Sequence, residues 1–388
     1  MRLSALYQSG GLITALLTTL LAFIIGGLVV LVTTGSNPLE TYKAIFDGTG
    51  LNWLFPWEEG EERVRAARRL QATLLLTTSL ILTGLAVAFA FRCGLFNIGG
   101  QGQYMLGAIA GVWIGTSLPG LPGVAHILLA LAMGVLAGAL LAGIAGILKA
   151  TVGAHEVIVT IMLNWIVYWF GTFLFGLQGP LQNTQEFGES NPVSNDIAQS
   201  VHLPVFWGNP ILQGLHIGFF IAMGALVFYW VILNRTTLGY EVRAVGYNPE
   251  AARYGGISVA RNYFLAMAIS GGFAGLAGAI DILGWQFRLA VNDVQISTIG
   301  FIGIAVALLG RNSAVGVGFS ALLFGALLTG TSTRNTALTD IFNPNLADNL
   351  TLLIQGLVVL FVGADVLVLY LWNARRKLRR GEREAVAT

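Results

Sequence analysis

The chain of 388 residues is poor in charge: only 10% of it is Asp, Glu, Lys or Arg, against about 25% in an ordinary soluble domain. That shortage excludes a water-soluble fold. A single cysteine, Cys93, excludes a disulfide framework, and the four histidines are scattered without metal-ligand spacing. Redox and metal chemistry are not expected. The only lysines are Lys43, Lys149 and Lys377, none preceded by glycine, so the G-x-x-x-x-G-K-[ST] phosphate loop is missing. The chain cannot bind ATP by that route. Nucleophile elbow, H-E-x-x-H and paired-cysteine motifs are missing too, which leaves no enzymatic chemistry to assign. A net charge of +2 provides no basic field for nucleic acid, and none is expected as a partner.

What is present is grease and glycine. Hydrophobic residues make up 55% of the chain and glycines number 50, and small residues are what packed transmembrane helices place at their contacts. The expected fold class is all-α, a polytopic integral membrane protein in the lipid bilayer. Runs of the length a span needs, about 20 apolar residues, lie at approximately 11–33, 72–91, 94–117, 125–148, 156–177, 210–233, 263–283, 296–310, 314–331 and 350–373. That is about ten helices in one transmembrane domain covering 1–388. The eighth is short, and Gly300, Gly303 and Gly310 suggest a broken or re-entrant piece. The first is too long for a signal-peptide core and is kept as a mature span. Gly107-x3-Gly111-x3-Gly115, Gly134-x3-Gly138 and Gly271-x3-Gly275 each place small residues on one helix face, as packing surfaces.

With a cytoplasmic amino terminus, fourteen of the 21 Lys and Arg fall inside, including the basic tail 374–388, in keeping with the positive-inside rule. Both termini are then cytoplasmic, and 36–70 and 178–209 are extracytoplasmic. The mixed-charge run Glu58 to Leu70 reads as an exposed helix with i,i+4 pairs such as Glu61/Arg65. It is either a solvated helix lying along the outer surface or a contact for an extracytoplasmic partner.

Two polar islands interrupt the apolar runs. In the first, Phe96-Asn97-Ile98-Gly99-Gly100-Gln101-Gly102-Gln103, the amides Asn97, Gln101 and Gln103 are costly in hydrocarbon unless hydrogen-bonded. Either they line a cavity on the solute's path, where Asn164 on the fifth span joins them, or they satisfy one another between helices. Glu156, Asp281 and Asp365 lie near span ends and read as interfacial charges. The second island, 234–262, is the cytoplasmic loop. Its Tyr247-Asn248-Pro249-Glu250-Ala251-Ala252-Arg253-Tyr254 carries an N-cap, a proline at N1 and a first-turn acid, and Gly255-Gly256 ends it. A short capped helix exposed on a greasy chain suits a soluble partner.

Several motifs, in order, carry a resemblance. Gly84-Leu85-Ala86-Val87-Ala88-Phe89 leads through Arg92 to Gly94-Leu95-Phe96-Asn97-Ile98-Gly99. Met162-Leu163-Asn164, Asn248-Pro249-Glu250-Ala251-Ala252-Arg253-Tyr254-Gly255-Gly256-Ile257 and Gly303-Ile304-Ala305-Val306-Ala307-Leu308-Leu309-Gly310-Arg311 follow. From about 75 to 365 the chain resembles the permease subunits of bacterial ABC importers. Within these it resembles the branched-chain amino acid and simple-sugar group, nearest the nucleoside-uptake branch served by a BMP-type lipoprotein. The resemblance implies a type II-like importer fold of about ten helices in the plasma membrane, with 248–254 as the coupling helix that docks on a cytoplasmic ABC ATPase. It implies a second, different permease chain, an extracytoplasmic substrate-binding lipoprotein, and ATP and magnesium used by the ATPase, with no cofactor on this chain. Two positions depart from the family: Gln101 and Ile302 stand where acids are usual. A simple sugar or branched-chain amino acid is the alternative solute. An ion-coupled secondary transporter is the alternative of another class, and a membrane scaffold without transport is a third. A similarity between Gly84-Leu-Ala-Val-Ala and Gly303-Ile-Ala-Val-Ala, with Arg92 and Arg311 at equal distance, reads as small-residue bias or duplicated halves.

Overall fold

The computed structural model describes residues 19–118, 120–184, 190–209 and 214–332, with scattered positions between 349 and 360. The run 350–373 lies almost wholly, and the basic tail with Asp365 entirely, outside the described residues. The chain divides into two compact units, Met1–Gly48 with Gly330–Thr388, and Thr49–Thr329.

In the first unit, α1 (Thr19–Thr34) and α2 (Pro38–Thr49) are bent by 115°. The break is made locally. Gly35 takes φ 69°, which costs glycine little, and Asn37 Oδ1 accepts from the Leu39 amide at 3.0 Å to start the next helix. The Tyr42 hydroxyl donates to the Phe23 carbonyl across the bend.

The second unit is a helical bundle. α3 (Gly60–Arg92), α4 (Gly100–Ser117), α5 (Gly123–Val152), α6 (Glu156–Phe175) and α7 (Gly218–Arg235) are followed by the short α8 (Thr237–Tyr247) and α9 (Pro249–Tyr254). α10 (Val259–Asp281) runs into a π turn, Ile282–Gln286, and α11 (Val291–Ile296), α12 (Ile299–Leu309) and α13 (Ala314–Gly330) complete it. Among the described residues six helices are long and apolar enough to cross a membrane, or seven if α1 and α2 count as one broken span. The only named sheet among the described residues is the antiparallel pair β1 (Val205–Trp207) and β2 (Leu215–His216).

Several boundaries differ from the sequence expectation for physical reasons. The charged run after Glu58 is no separate surface helix: it is the first turns of α3, whose 33 residues reach about 50 Å at about 1.5 Å each, well past a ~30 Å hydrocarbon core. Arg65 pairs there with Glu61 at 3.4 Å and Glu62 at 2.8 Å, all exposed. α4 begins at Gly100 because the chain turns through Gly94, at φ 74°. The α7 run starts only at Gly218 because Leu215 and His216 are paired in β2. The short eighth run is interrupted, α11 and α12 being separated at Ser297 and Thr298.

Glycines set the packing. α10 lies at the centre, against α5, α4 and α3. A Cβ at Gly107 or Gly134 would meet the backbone of Gly275, and one at Gly138 that of Gly271. The three faces therefore join backbone to backbone, as their spacing predicts. The two similar stretches also cross each other: a Cβ at Gly84 would meet Val306, and one at Gly303 would meet Thr83. Beyond α6, the loop folds over the end of α10. The amides of Ser194, Ile197 and Leu203 bond the carbonyls of Leu289, Phe287 and Leu283 at 2.9, 2.9 and 2.8 Å.

Candidate functional site

The amide island of the sequence is a tie between helices. Asn97 Nδ2 donates to Gln103 Oε1 at 2.8 Å, Gln103 Nε2 donates back to Asn97 Oδ1 at 3.0 Å, and Asn97 Nδ2 also reaches Ser270 Oγ at 2.8 Å. Gln101 Oε1 accepts from the Gly300 amide at 2.9 Å. Asn164 accepts from the Gly102 amide at 2.8 Å and donates to the Ile98 carbonyl at 3.0 Å. These bonds join α4 to α6, α10 and α12, and they meet the cost of buried amides. Phe96 stacks on Phe91 with ring centroids 4.9 Å apart. None of Phe96, Asn97, Gln101, Gln103 and Asn164 lines the polar cavity described next. The interhelical network that was one of the two sequence alternatives for the amides is formed.

That cavity, of about 440 Å³, opens between α3, α4, the π turn, α11 and α12. Its polar wall is Tyr104, Gln286, Asn292, Asp293, Ser297 and Thr298; Trp285, Met105, Ala108 and Ile302 are among the rest. Two other grooves, of about 610 and 470 Å³, are lined almost entirely by hydrocarbon, which suits lipid or helix contact better than a polar solute.

Behind the cavity wall stands Asp281, which the sequence suggested as an interfacial charge. It is 1% exposed. Oδ1 accepts from Ser79 Oγ at 2.5 Å and Trp285 Nε1 at 3.1 Å, and Oδ2 accepts from the Tyr104 hydroxyl at 2.6 Å. The carboxylate is enclosed by α3, α4 and the π turn, which supply Ser79, Tyr104 and Trp285. The π turn adds its own effect: widening the helix after Asp281 accompanies the return of the Trp285 indole onto its carboxylate, and Phe287 leaves the turn at φ 60°. His202 stacks on Phe287 at 4.1 Å, and burial holds its imidazole below the usual range. His216, buried against Gly284, accepts from the Gly218 amide at 3.1 Å. Burial pushes its pKa down to about 4.

At the other end of α10 lies the loop of the second island. Asn248 Oδ1 accepts from the Ala251 amide at 3.1 Å and so opens α9, which ends at Gly255 and Gly256, the latter at φ 81°. Glu250 and Arg253 pair at 3.4 Å, both exposed. Tyr247 and Tyr254 are 90% and 94% exposed, whereas Ala252 turns inward. The preceding α8 is pinned to the bundle: a Cβ on Gly246 would meet the Arg92 carbonyl, and Asn262 Nδ2 donates to Glu241 at 3.0 Å. Arg92 in turn donates to the Asn312 carbonyl from Nη2 at 2.7 Å and Nε at 3.0 Å, and the Tyr229 hydroxyl donates to the same oxygen at 2.7 Å. Arg311 and Asn312 both take positive φ there, 51° and 52°. Glu156, read as an interfacial charge, pairs with Lys149 at 2.8 Å between α5 and α6.

Sequence reasoning missed Asp281, Tyr104, Trp285 and the α11 wall. The signal available was the acid itself, five residues before an amide in an apolar run, but nothing local showed what would cover it.

Comparison with known proteins adds the family. The family described as "Branched-chain amino acid transport system / permease component" matches residues 69–363. The guanosine ABC transporter permease protein NupP of Bacillus subtilis (strain 168) is 36% identical over 93% of this chain and 97% of its own. The nucleoside ABC transporter permease protein NupB of Lactococcus lactis subsp. cremoris is 36% identical over 81% of this chain and 83% of its own. The glucose ABC transporter permease protein TsgB13 of Haloferax volcanii is 34% identical over 90% and 86%. Matched by the family over residues 69–363 and by these relatives along most of its length, the chain belongs to the branched-chain amino acid transport permease family.

Proposed function

We propose that this chain is one membrane-spanning half of an ATP-driven nucleoside importer, worked by a separate ATPase that docks on α9. One observation carries the reading. A capped helix with two bare tyrosines and an exposed ion pair projects from a bundle whose sequence has no phosphate loop. Arg92, Lys149, Arg243, Arg261 and Arg311 belong to this end of the bundle, which supports a cytoplasmic face by the positive-inside rule, with both termini on the same side. Tyr247 through Tyr254 are the docking residues, with Glu250 and Arg253 as charged contacts. Closure of the ATPase pair on ATP and magnesium pulls on α9. Because α8 is pinned through Gly246 to the end of α3, the pull passes to the α3–α12 pair. Ile299 and Ile302 of α12 form part of the cavity wall, so the cavity's access alternates.

The polar rim of that cavity, Asn292 and Asp293, is exposed. Such a rim inside a membrane protein calls for a facing chain or a watery path, which supports a second permease, taken to be a different one. The solute reading draws on the relatives named for guanosine and nucleosides, delivered here by an extracytoplasmic lipoprotein. A simple sugar is the second reading, favoured by the glucose relative from Haloferax.

The test is co-purification followed by reconstitution with the second permease, the ATPase and the lipoprotein in proteoliposomes. ATP-dependent uptake of labelled guanosine, competed by nucleosides and not by glucose, is the expected result. Competition by glucose alone selects the sugar. Uptake driven by a sodium or proton gradient with no ATPase bound overturns the reading in favour of a secondary carrier.

A further inference from the structure

We propose that the 440 Å³ cavity recognises the base of its solute, a planar aromatic ring with hydrogen-bonding edges, on Trp285, and that Asp281 is the positioning residue holding Trp285 and Tyr104 for it. The proposal rests on the nucleoside reading and names the site within it.

A carboxylate taken fully out of water is costly, and Asp281 faces two hydroxyls and an indole N–H rather than a cation. An apolar side chain would pack this position at lower cost. What the carboxylate adds is direction. Hydrogen bonds to an ionised acceptor are shorter and stronger than neutral ones, and here two of the three run to rings that line the cavity, Tyr104 from α4 and Trp285 from the π turn. The third, to Ser79, fixes the carboxylate itself to α3. The indole is thereby tied by its edge to the helix behind it. The ring is half-buried, with its remaining surface at the cavity.

The rest of the wall fits the same solute. The volume lies within the ~300–1,000 Å³ of small-molecule sites, and an aromatic face accepts purines and pyrimidines alike because every base has a π-face. Gln286, Asn292 and Asp293 supply donors and acceptors for base edges or ribose hydroxyls. Ile302 leaves an uncharged surface at its position, which suits a neutral ring. A hexose presents hydroxyls on nearly every carbon and would leave Met105, Ala108 and Ile302 without an apolar counterpart.

The experiment uses the complete complex in proteoliposomes, photolabelled with 8-azidoadenosine and mapped by peptide mass spectrometry. Label is expected within residues 104–108 or 285–302, displaced by excess guanosine and not by glucose. Trp285→Ala is expected to lower labelling about tenfold, and Trp285→Phe, which keeps an aromatic face but lacks the N–H that Asp281 holds, to lower it by an intermediate factor. Asp281→Asn, which cannot accept from all three donors, should lower labelling about tenfold in the wild-type chain but less than twofold in the Trp285→Ala chain, where no ring is left to position. Tyr104→Phe, which removes a single O–H, gives a milder second variant should Asp281→Asn fail to assemble. Label elsewhere, no label under conditions where the wild type takes up guanosine, or equal effects of Asp281→Asn in both chains overturns the proposal. Absence of guanosine uptake by the wild type overturns the nucleoside reading itself, and so the two failures are told apart.

Discussion

The loop 236–262 and the cavity beside α11 are built in opposite ways. In the loop, three successive helices are each opened by a side chain three residues back: Thr236 Oγ1 accepts from Gly239, Asn248 Oδ1 from Ala251 and Ser258 Oγ from Arg261, at 3.1, 3.1 and 3.4 Å. At the cavity, the bonds that shape the wall join residues 202 and 177 positions apart, Ser79 and Tyr104 to Asp281. A local structure can be altered without disturbing the bundle, and α9 offers an exposed face on which to do so. The cavity wall is part of the core that holds the bundle together. The two proposed roles, docking at the loop and recognition at the cavity, therefore differ in how far each is separable from stability.

The sharpest way to break that contrast is at the backbone contacts of the core. Gly275→Val drives a branched side chain into the Gly134 backbone. Overpacking of this kind costs about 1–3 kcal/mol or more, so the purified permease is expected to lose its monodisperse peak on size exclusion, or to melt at least ~5 °C lower. Next comes the pin between the two regions. Arg92→Lys keeps the charge but loses the two-pronged hold on Asn312, and is expected to cut solute-stimulated ATPase activity several-fold while destabilising by about 1 kcal/mol; unchanged stimulation would detach the pin from coupling. Glu250→Lys on exposed α9 is expected to lower the same stimulation about tenfold at an unchanged melting temperature, since exposed substitutions stay within about 0.5 kcal/mol. A drop in melting temperature would mean that the loop is no less integral than the cavity.

Acid sharpens the comparison from the other side. Burial lowers the pKa of His216 from 6.5 to about 4, so the unfolded chain takes up the proton first. Its contribution is complete above pH 6.5 and is lost as pH falls from there toward 4, at up to ~1.4 kcal/mol per pH unit. His216→Gln is expected to flatten the acid limb of the melting curve, and an identical limb would remove this histidine from the account. The smallest effect is reserved for the exposed first turns of α3, where Arg65→Ala is expected to shift stability by less than ~0.5 kcal/mol.

The same contrast explains what the sequence made legible. Asn248-Pro249 and Gly255-Gly256 state the ends of α9 within ten residues, because caps and stops act on neighbours. Glycine spacing on α4, α5 and α10 announced the packing faces, since a helix repeats its faces every few residues. The role of the amides at Asn97, Gln101 and Gln103 stayed open because it depends on which helix arrives opposite, and Ser270 and Gly300 are both more than 160 residues away in the chain. Asp281 misled for the same reason: its place near a span end was readable, but the arrival of Ser79 and Tyr104 from distant helices was not. The run at Glu58–Leu70 misled differently, because a change from charged to apolar sequence marks a change of surroundings and not the end of a helix.

One consequence follows from α3. Ser79, which anchors the carboxylate behind the cavity, and Arg92, which grips Asn312 beside the docking loop, stand on the same uninterrupted helix, thirteen residues or about 20 Å apart. A stretch of regular helix has almost no slack along its axis, so its two stations cannot fall out of step. If α9 is the docking helix proposed above, the cavity and its drive are set to one clock, and loosening either hold should cost synchrony before it costs affinity.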